Sequence, residues 1–336
     1  MPESQPFVRL EEPGRFQLHN EPTPTTSPGE ALVRIHRIGV CGTDLHAFAG
    51  RQPFFDYPRV LGHELGAEII SLHPDTTTGL KPGDRCAIEP YLNDPASPAS
   101  QAGKTNCCEK LQVLGVHTDG AMRPLITVPA DKLHKSDKLS YDQLALVETL
   151  CIGAHAIERS QPDTRDTVLV VGTGPIGLGA LQFALTTGAT VWAMDADPDR
   201  LAFVRDQLNI PETFAPDDPL PTPPTVVIDA TGHAGSMARA TSLAAHGGRI
   251  VFLGIVQGTI PLDDPEFHRR ELTLMASRNA TASTFKHVIA SLENGTVDTS
   301  PWITHRLTLT EVPEKFPPLK GSPGLVKAII EVPTNL

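Results

Sequence analysis

Thr167-Val168-Leu169-Val170-Val171-Gly172-Thr173-Gly174-Pro175-Ile176-Gly177 is the stretch that decides how this chain reads. A β-branched, apolar run without polar alternation marks a parallel strand buried on both faces. It ends in three glycines, and a stretch with helical spacing follows at 176–187. Gly172, Gly174 and Gly177 fit G-x-G-x-x-G, in which bare backbone approaches a pyrophosphate at a helix N-terminus. Pro175 suits a first helical turn, where no N–H is needed, and Ile176 continues that turn. Asp195 ends the next strand, 18 residues after Gly177. An acid there binds a ribose 2′-hydroxyl and repels a 2′-phosphate, which favours NAD over NADP. Arg200 is either a neighbour of the adenosine ribose or a solvated charge on a helix face.

Outward from this stretch, strand patterns at 190–195, 226–229 and 249–254 alternate with helical ones at 200–208 and 237–245. Such alternation predicts a doubly wound parallel sheet. Residues 1 to about 150 differ: short β-rich runs at 31–38, 65–71, 85–89 and 125–128 are punctuated by Gly and Pro. After residue 277 come one helix, 284–293, and two short strands, 304–309 and 326–331. A strand pair alone is marginal, so the tail is expected to return to the first lobe. The predicted class is α/β. A β-rich catalytic domain, 1–150 plus 278–336, carries an inserted dinucleotide-binding domain, 151–277, with the active site in the cleft between them.

Bulk properties narrow the partners. A formal charge of −11 argues against nucleic acid and against an anionic membrane surface. No apolar run is long enough to span a bilayer, and the first residues lack the basic and apolar regions of a secretory signal. Five cysteines are an odd number without disulfide-framework spacing. A cytoplasmic protein is the expectation.

Three further segments carry chemistry: Cys41-Gly42-Thr43-Asp44-Leu45-His46, Gly62-His63-Glu64 and Val147-Glu148. A thiolate, an imidazole and a carboxylate make the three-ligand set of a catalytic zinc that keeps a fourth position open. Cys41, His63 and Glu148 are the candidate ligands. Asp44 is placed to accept the far N–H of His63, and Thr43 and His46 supply a hydroxyl and a titratable ring close by. A Lewis-acid metal beside a dinucleotide is what hydride transfer from an alcohol requires.

On these residues the chain resembles the zinc-dependent medium-chain dehydrogenase/reductase superfamily, which includes alcohol and sorbitol dehydrogenases. The matches are Cys-Gly-Thr-Asp-x-His at 41–46, Gly-His-Glu at 62–64, Lys-Pro-Gly-Asp at 81–84, Val-Glu at 147–148 and the glycine turn at 172–177. The resemblance implies a GroES-like catalytic domain with an inserted Rossmann domain. It also implies Glu64 as a neighbouring or exchanging carboxylate, and a proton path through Thr43, the cofactor ribose and His46. By position, Lys327 matches a basic residue on the cofactor pyrophosphate, the alternative being a surface strand lysine. Arg278 and Asn279 fall where sorbitol-dehydrogenase-like relatives meet substrate, and would suit a hydroxyl-rich or carboxylated small-molecule alcohol. A Glu as third ligand resembles the polyol and sugar-acid branch.

The family expectation is a homodimer or homotetramer formed through the cofactor sheet edge. Many relatives also hold a structural zinc with C-x₂-C-x₂-C-x₇-C. Here those places are Asp94, Ser97, Ser100 and Cys108, so one catalytic zinc and no structural zinc are expected. The competing readings are a zinc-free quinone or enoyl reductase using NAD(P)H and a catalytically silent NAD-binding protein.

Overall fold

In the computed structural model, which describes residues 3–52 and 55–334, the Thr167–Val171 strand lies inside a six-stranded sheet. Its spatial order is Thr213–Phe214, Thr190–Met194, Thr167–Val171, Val226–Asp229, Arg249–Phe252 and Thr273–Ala276, and every pairing is parallel. In chain order this is the 3-2-1-4-5-6 arrangement of a doubly wound sheet, which reverses direction beside its first strand. Val168, Leu169 and Val170 are fully buried, as a strand covered on both faces must be. Helices Pro175–Leu185, Pro198–Leu208 and Ala234–Leu243 alternate with the strands. Two strands escape sequence reading. Thr213–Phe214 is only two residues long, and Thr273–Ala276 is a largely exposed edge without a buried apolar pattern.

The chain divides into two compact units, Met1–Glu148 with Thr281–Leu336, and Thr149–Ala280. The sequence predicts these boundaries at 150 and 277. The first unit is built on a sheet ordered Ile303–Thr308, Lys327–Glu331, Glu30–Gly39, Glu64–Leu72, Arg85–Ile88 and Leu133–Lys135, with Leu125–Pro129 also paired to Glu30–Gly39. Its core holds Ile35, Ile38, Leu65, Ile69, Phe316 and Ile330. The returning tail strand is thus part of the first unit's sheet, pairing Ile329 with Gly39 while Gly39 pairs with Glu64. A hairpin of Ser4–Glu12 and Arg15–Pro22 precedes this sheet. The helix Gly42–Phe48 stands where sequence suggested only strands and loops. No helix among the described residues is long and apolar enough to cross a membrane.

Candidate active site

The spacing of Cys-Gly-Thr-Asp is the spacing of a helix start. Cys41 is the N-cap of Gly42–Phe48 and Asp44 is the third residue inside it. The Oδ2 of Asp44 accepts the Cys41 N–H at 2.9 Å, which satisfies one of the donors a helix start leaves free. This fixes Cys41 at the head of the helix. His63 follows Gly62, whose φ of 98° a side chain would strain, and leads into the Glu64–Leu72 strand. The ligand atoms of Cys41, His63 and Glu64 lie within 4.8 Å of one another. Gly39 makes room for this, since a Cβ there would stand 2.0 Å from Glu64 Oε2.

The interior of this cluster is polar and buried. Asp44, His63, Glu64 and Glu148 are all buried. His63 Nδ1 lies 3.7 Å from Asp44 Oδ1, and among the described residues neither atom has a hydrogen-bond partner. An orphaned buried polar atom costs about 1–3 kcal/mol. A thiol, an imidazole and a carboxylate within mutual reach, with polar atoms still unsatisfied around them, fit a zinc ion.

Burial disfavours a charged His63, yet Asp44 and Cys41 outweigh it and hold the ring well above its usual range. Burial raises the carboxyls of Asp44 and Glu148, against the pull of His63.

Glu148, expected as the third ligand, is not in the tightest donor set; Glu64 is. Being adjacent in sequence to His63, Glu64 shares its approach, whereas Glu148 comes from the Tyr141–Ser160 helix and its Oε1 accepts the hydroxyl of Tyr91. Lys327, expected on a pyrophosphate or at the surface, is 2% exposed and its Nζ lies 2.6 Å from Glu64 Oε1. The register of the returning tail strand carries it there. Burial opposes its charge, but Glu64 and Cys41 hold its pKa up.

Thr43 is half-buried and His46 exposed, one turn apart on the Gly42–Phe48 helix. Partial burial, then Arg51 and Lys320, keep the His46 ring below its ordinary range.

In the second unit the glycine turn is sterically specified. Gly172 has φ 88°, and a Cβ on Gly177 would meet the Gly172 carbonyl oxygen at 1.8 Å. Gly174 is the N-cap of Pro175–Leu185, with Pro175 and Ile176 in its first turn. Asp195 Oδ2 accepts the Thr173 N–H at 2.7 Å and its hydroxyl at 2.9 Å. Arg200 reaches to 3.9 Å from the same oxygen, and its guanidinium stands 3.8 Å from where a Gly174 Cβ would be. Sequence reasoning missed Asp229, which ends its strand fully buried. Its Oδ1 accepts the N–H and hydroxyl of Thr231 at 2.9 and 2.6 Å, and its Oδ2 the Ser236 hydroxyl at 2.5 Å. The Asp-Ala-Thr-Gly run after an apolar strand was the available signal. Arg278 is exposed and Asn279 is left-handed at φ 51°, both just after the edge strand.

The four places matching a structural zinc site do converge. The Asp94 N–H donates to Cys108 Sγ at 3.2 Å, and the hydroxyls of Ser97 and Ser100 lie 3.0 Å apart. Lys110 Nζ pairs with Asp94 Oδ2 at 3.2 Å. Hydrogen bonds join these positions.

A thiol–imidazole–carboxylate set in a β-rich unit, with a dinucleotide turn in an inserted parallel sheet, defines a zinc- and nicotinamide-dependent oxidoreductase. Residues 27–138 match the alcohol dehydrogenase GroES-like domain and residues 175–294 the zinc-binding dehydrogenase family. The chain belongs to this zinc-type alcohol dehydrogenase family. It is 39% identical over 302 residues to the L-galactonate-5-dehydrogenase of Escherichia coli K12, covering 87% of this chain and 88% of that protein. It is 30% identical over 330 residues to the D-altritol 5-dehydrogenase of Agrobacterium fabrum, covering 95% and 97%. The RspB dehydrogenase of E. coli CFT073, solved with NADH, superposes with a TM-score of 0.91 at 27% identity, over 98% of this chain and all of that one. The chain is thus an enzyme, and the silent and zinc-free readings are set aside.

Proposed function

We propose that the enzyme oxidises a secondary hydroxyl of a sugar acid or polyol and passes the hydride to NAD. The observation that carries this reading is the buried cluster in which Cys41, His63 and Glu64 meet with Glu148 beside them. When bound there, zinc would polarise the substrate oxygen and lower the pKa of its hydroxyl. Cys41, His63 and Glu64 are the residues that would hold it, with Glu148 as the exchanging carboxylate. Asp44 would fix the ring of His63. Thr43 would relay the hydroxyl proton, accepting it as it donates its own, and His46 would pass a proton on to solvent, since an imidazole held below its usual range gives one up readily near neutral pH.

Gly172, Gly174, Pro175, Ile176 and Gly177 would receive the pyrophosphate, and Asp195 the adenosine ribose, with Arg200 alongside. Asp195 favours NAD over NADP. The substrate class rests on the relatives acting on L-galactonate and D-altritol, and on Arg278 and Asn279 as partners for a carboxylate and hydroxyls. The exposed edge strand Thr273–Ala276, with Leu274 at its surface, would pair with a second copy in a homodimer or homotetramer. A cytoplasmic location belongs to the same proposal.

Zinc per chain, NAD and NADP titrations, and turnover on a panel of aldonates and polyols, all on one preparation, test this. One zinc, NAD bound more tightly than NADP and turnover on a panel member are expected. Absence of zinc after reconstitution would remove the mechanism.

A further inference from the structure

The two glutamates of the cluster each have a buried partner. Glu64 has Lys327, and Glu148 has Tyr91, whose hydroxyl donates to Oε1. Tyr91 is 2% exposed and opens a two-stranded ladder in which it pairs with Val113. Its ring meets Phe285 edge-on, with centroids 6.1 Å apart. Phe285, fully buried, stacks in turn on His134 at 4.8 Å. His134 Nε2 lies 3.0 Å from Glu89 Oε2, and Glu89 Oε1 accepts from Lys132 Nζ at 2.7 Å. Glu89 precedes Tyr91 by two residues, so the buried ion group anchors the very backbone that carries the phenol.

A side chain held on one side by packing and on the other by a buried ion group loses little freedom when its hydroxyl makes a bond. Such a donor fixes the carboxylate it touches in one orientation. With Oε1 engaged by the phenol, Glu148 keeps Oε2 for another partner, next to His63 and Glu64. We infer that Tyr91 is a positioning residue of the metal site: it holds Glu148 ready as a ligand beside the Cys41, His63 and Glu64 set. This rests on the zinc reading above and adds a residue to it. Its hydroxyl bond to Glu148 is the route by which it would act on the donor set.

The experiment is a double-mutant cycle on zinc affinity, measured by competition with a chromophoric chelator, in wild-type, Tyr91→Phe, Glu148→Gln and the double variant. Loss of an outer partner of a ligand costs about 10–100-fold in metal affinity. Tyr91→Phe is therefore expected to weaken zinc at least tenfold in the wild-type background and not measurably in the Glu148→Gln background. Equal zinc affinity in wild-type and Tyr91→Phe would overturn the inference, and so would equal weakening in both backgrounds, which marks a merely structural role. For the case in which Tyr91→Phe does not fold, 3-fluorotyrosine at position 91 supplies a second reading. Its fluorine resonance is expected to shift on zinc addition, and to stay still in the Glu148→Gln protein. A resonance that ignores zinc, or moves alike in both, would refute it. A wild-type protein without zinc would sink the proposed function itself and this inference with it; zinc-replete wild-type with an indifferent Tyr91→Phe sinks the inference alone.

Discussion

Lys327 and Glu64, 263 positions apart in sequence, form an ion pair of 2.6 Å in which both residues are almost completely buried. A buried carboxylate stripped of its paired cation is costly, about 3–5 kcal/mol. Glu64 also faces the Cys41 and His63 ligand atoms, so a bound divalent ion and Lys327 serve the same negative charge and repel each other. Lys327→Met is therefore expected to melt well below wild-type without zinc and to recover more on zinc addition than wild-type does. Thermal melts with and without the metal check this. A zinc-induced shift no larger than that of wild-type would mean that lysine and metal do not share Glu64.

Gly177 leaves no room for a methyl group, since its Cβ would fall 1.8 Å from the Gly172 carbonyl oxygen. Overpacking of this kind costs about 1–3 kcal/mol. The strain falls on the turn expected to receive the pyrophosphate, so Gly177→Ala should raise the NAD Kd by about tenfold or more. Zinc content, a property of the other unit, should not change. Calorimetric titration of NAD beside elemental analysis separates the two, and an unaltered Kd would move the dinucleotide away from this turn.

What the sequence disclosed and withheld follows the range of the interactions. The Thr167–Val171 strand and its glycines are legible because burial on both faces and a tight turn are local demands. Cys41 and Asp44 stand out because they fall within one short motif, while the helix that spaces them as N-cap and third residue does not. The choice between Glu64 and Glu148 is not legible. It depends on Lys327 and on Tyr91, partners 263 and 57 residues distant, delivered by sheet register and by a two-residue strand. Lys327 is hard to place for the same reason: a lysine in a short strand looks exposed until its neighbour is known.

Ser97 caps the short helix Pro98–Gln101 by accepting the Ser100 N–H at 3.2 Å, and its hydroxyl meets that of Ser100. Removing such a cap costs about 1 kcal/mol. Ser97→Ala should speed amide exchange across 98–108 and leave the large sheet untouched. A chelator that strips the catalytic metal should leave exchange in this lobe unchanged, because hydrogen bonds join its four converging positions. Loosening by the chelator would reveal a second metal.

Asp166 shows how pH should act on the second unit. Its Oδ1 accepts from Arg249 at 2.6 Å and from the Thr225 hydroxyl at 2.7 Å, while its Oδ2 accepts the Asp163 N–H at 2.9 Å. Burial pushes its pKa up, but the Arg249 and Thr225 bonds outweigh that and hold it below the usual carboxylate range. A carboxyl with a depressed folded pKa stabilises the fold above its unfolded pKa and loses that contribution as pH falls through the folded value. Asp166→Asn should thus cost about 1–3 kcal/mol at pH 7. The deficit should shrink as the pH drops below about 4, the unfolded carboxyl range, where wild-type loses the same charge. Trp192 belongs to this unit's core and Trp302 to the other unit, so urea melts followed by fluorescence in a Trp302→Phe background report on the second unit alone. A deficit independent of pH would show that the amide fails for its shape and not for its missing charge.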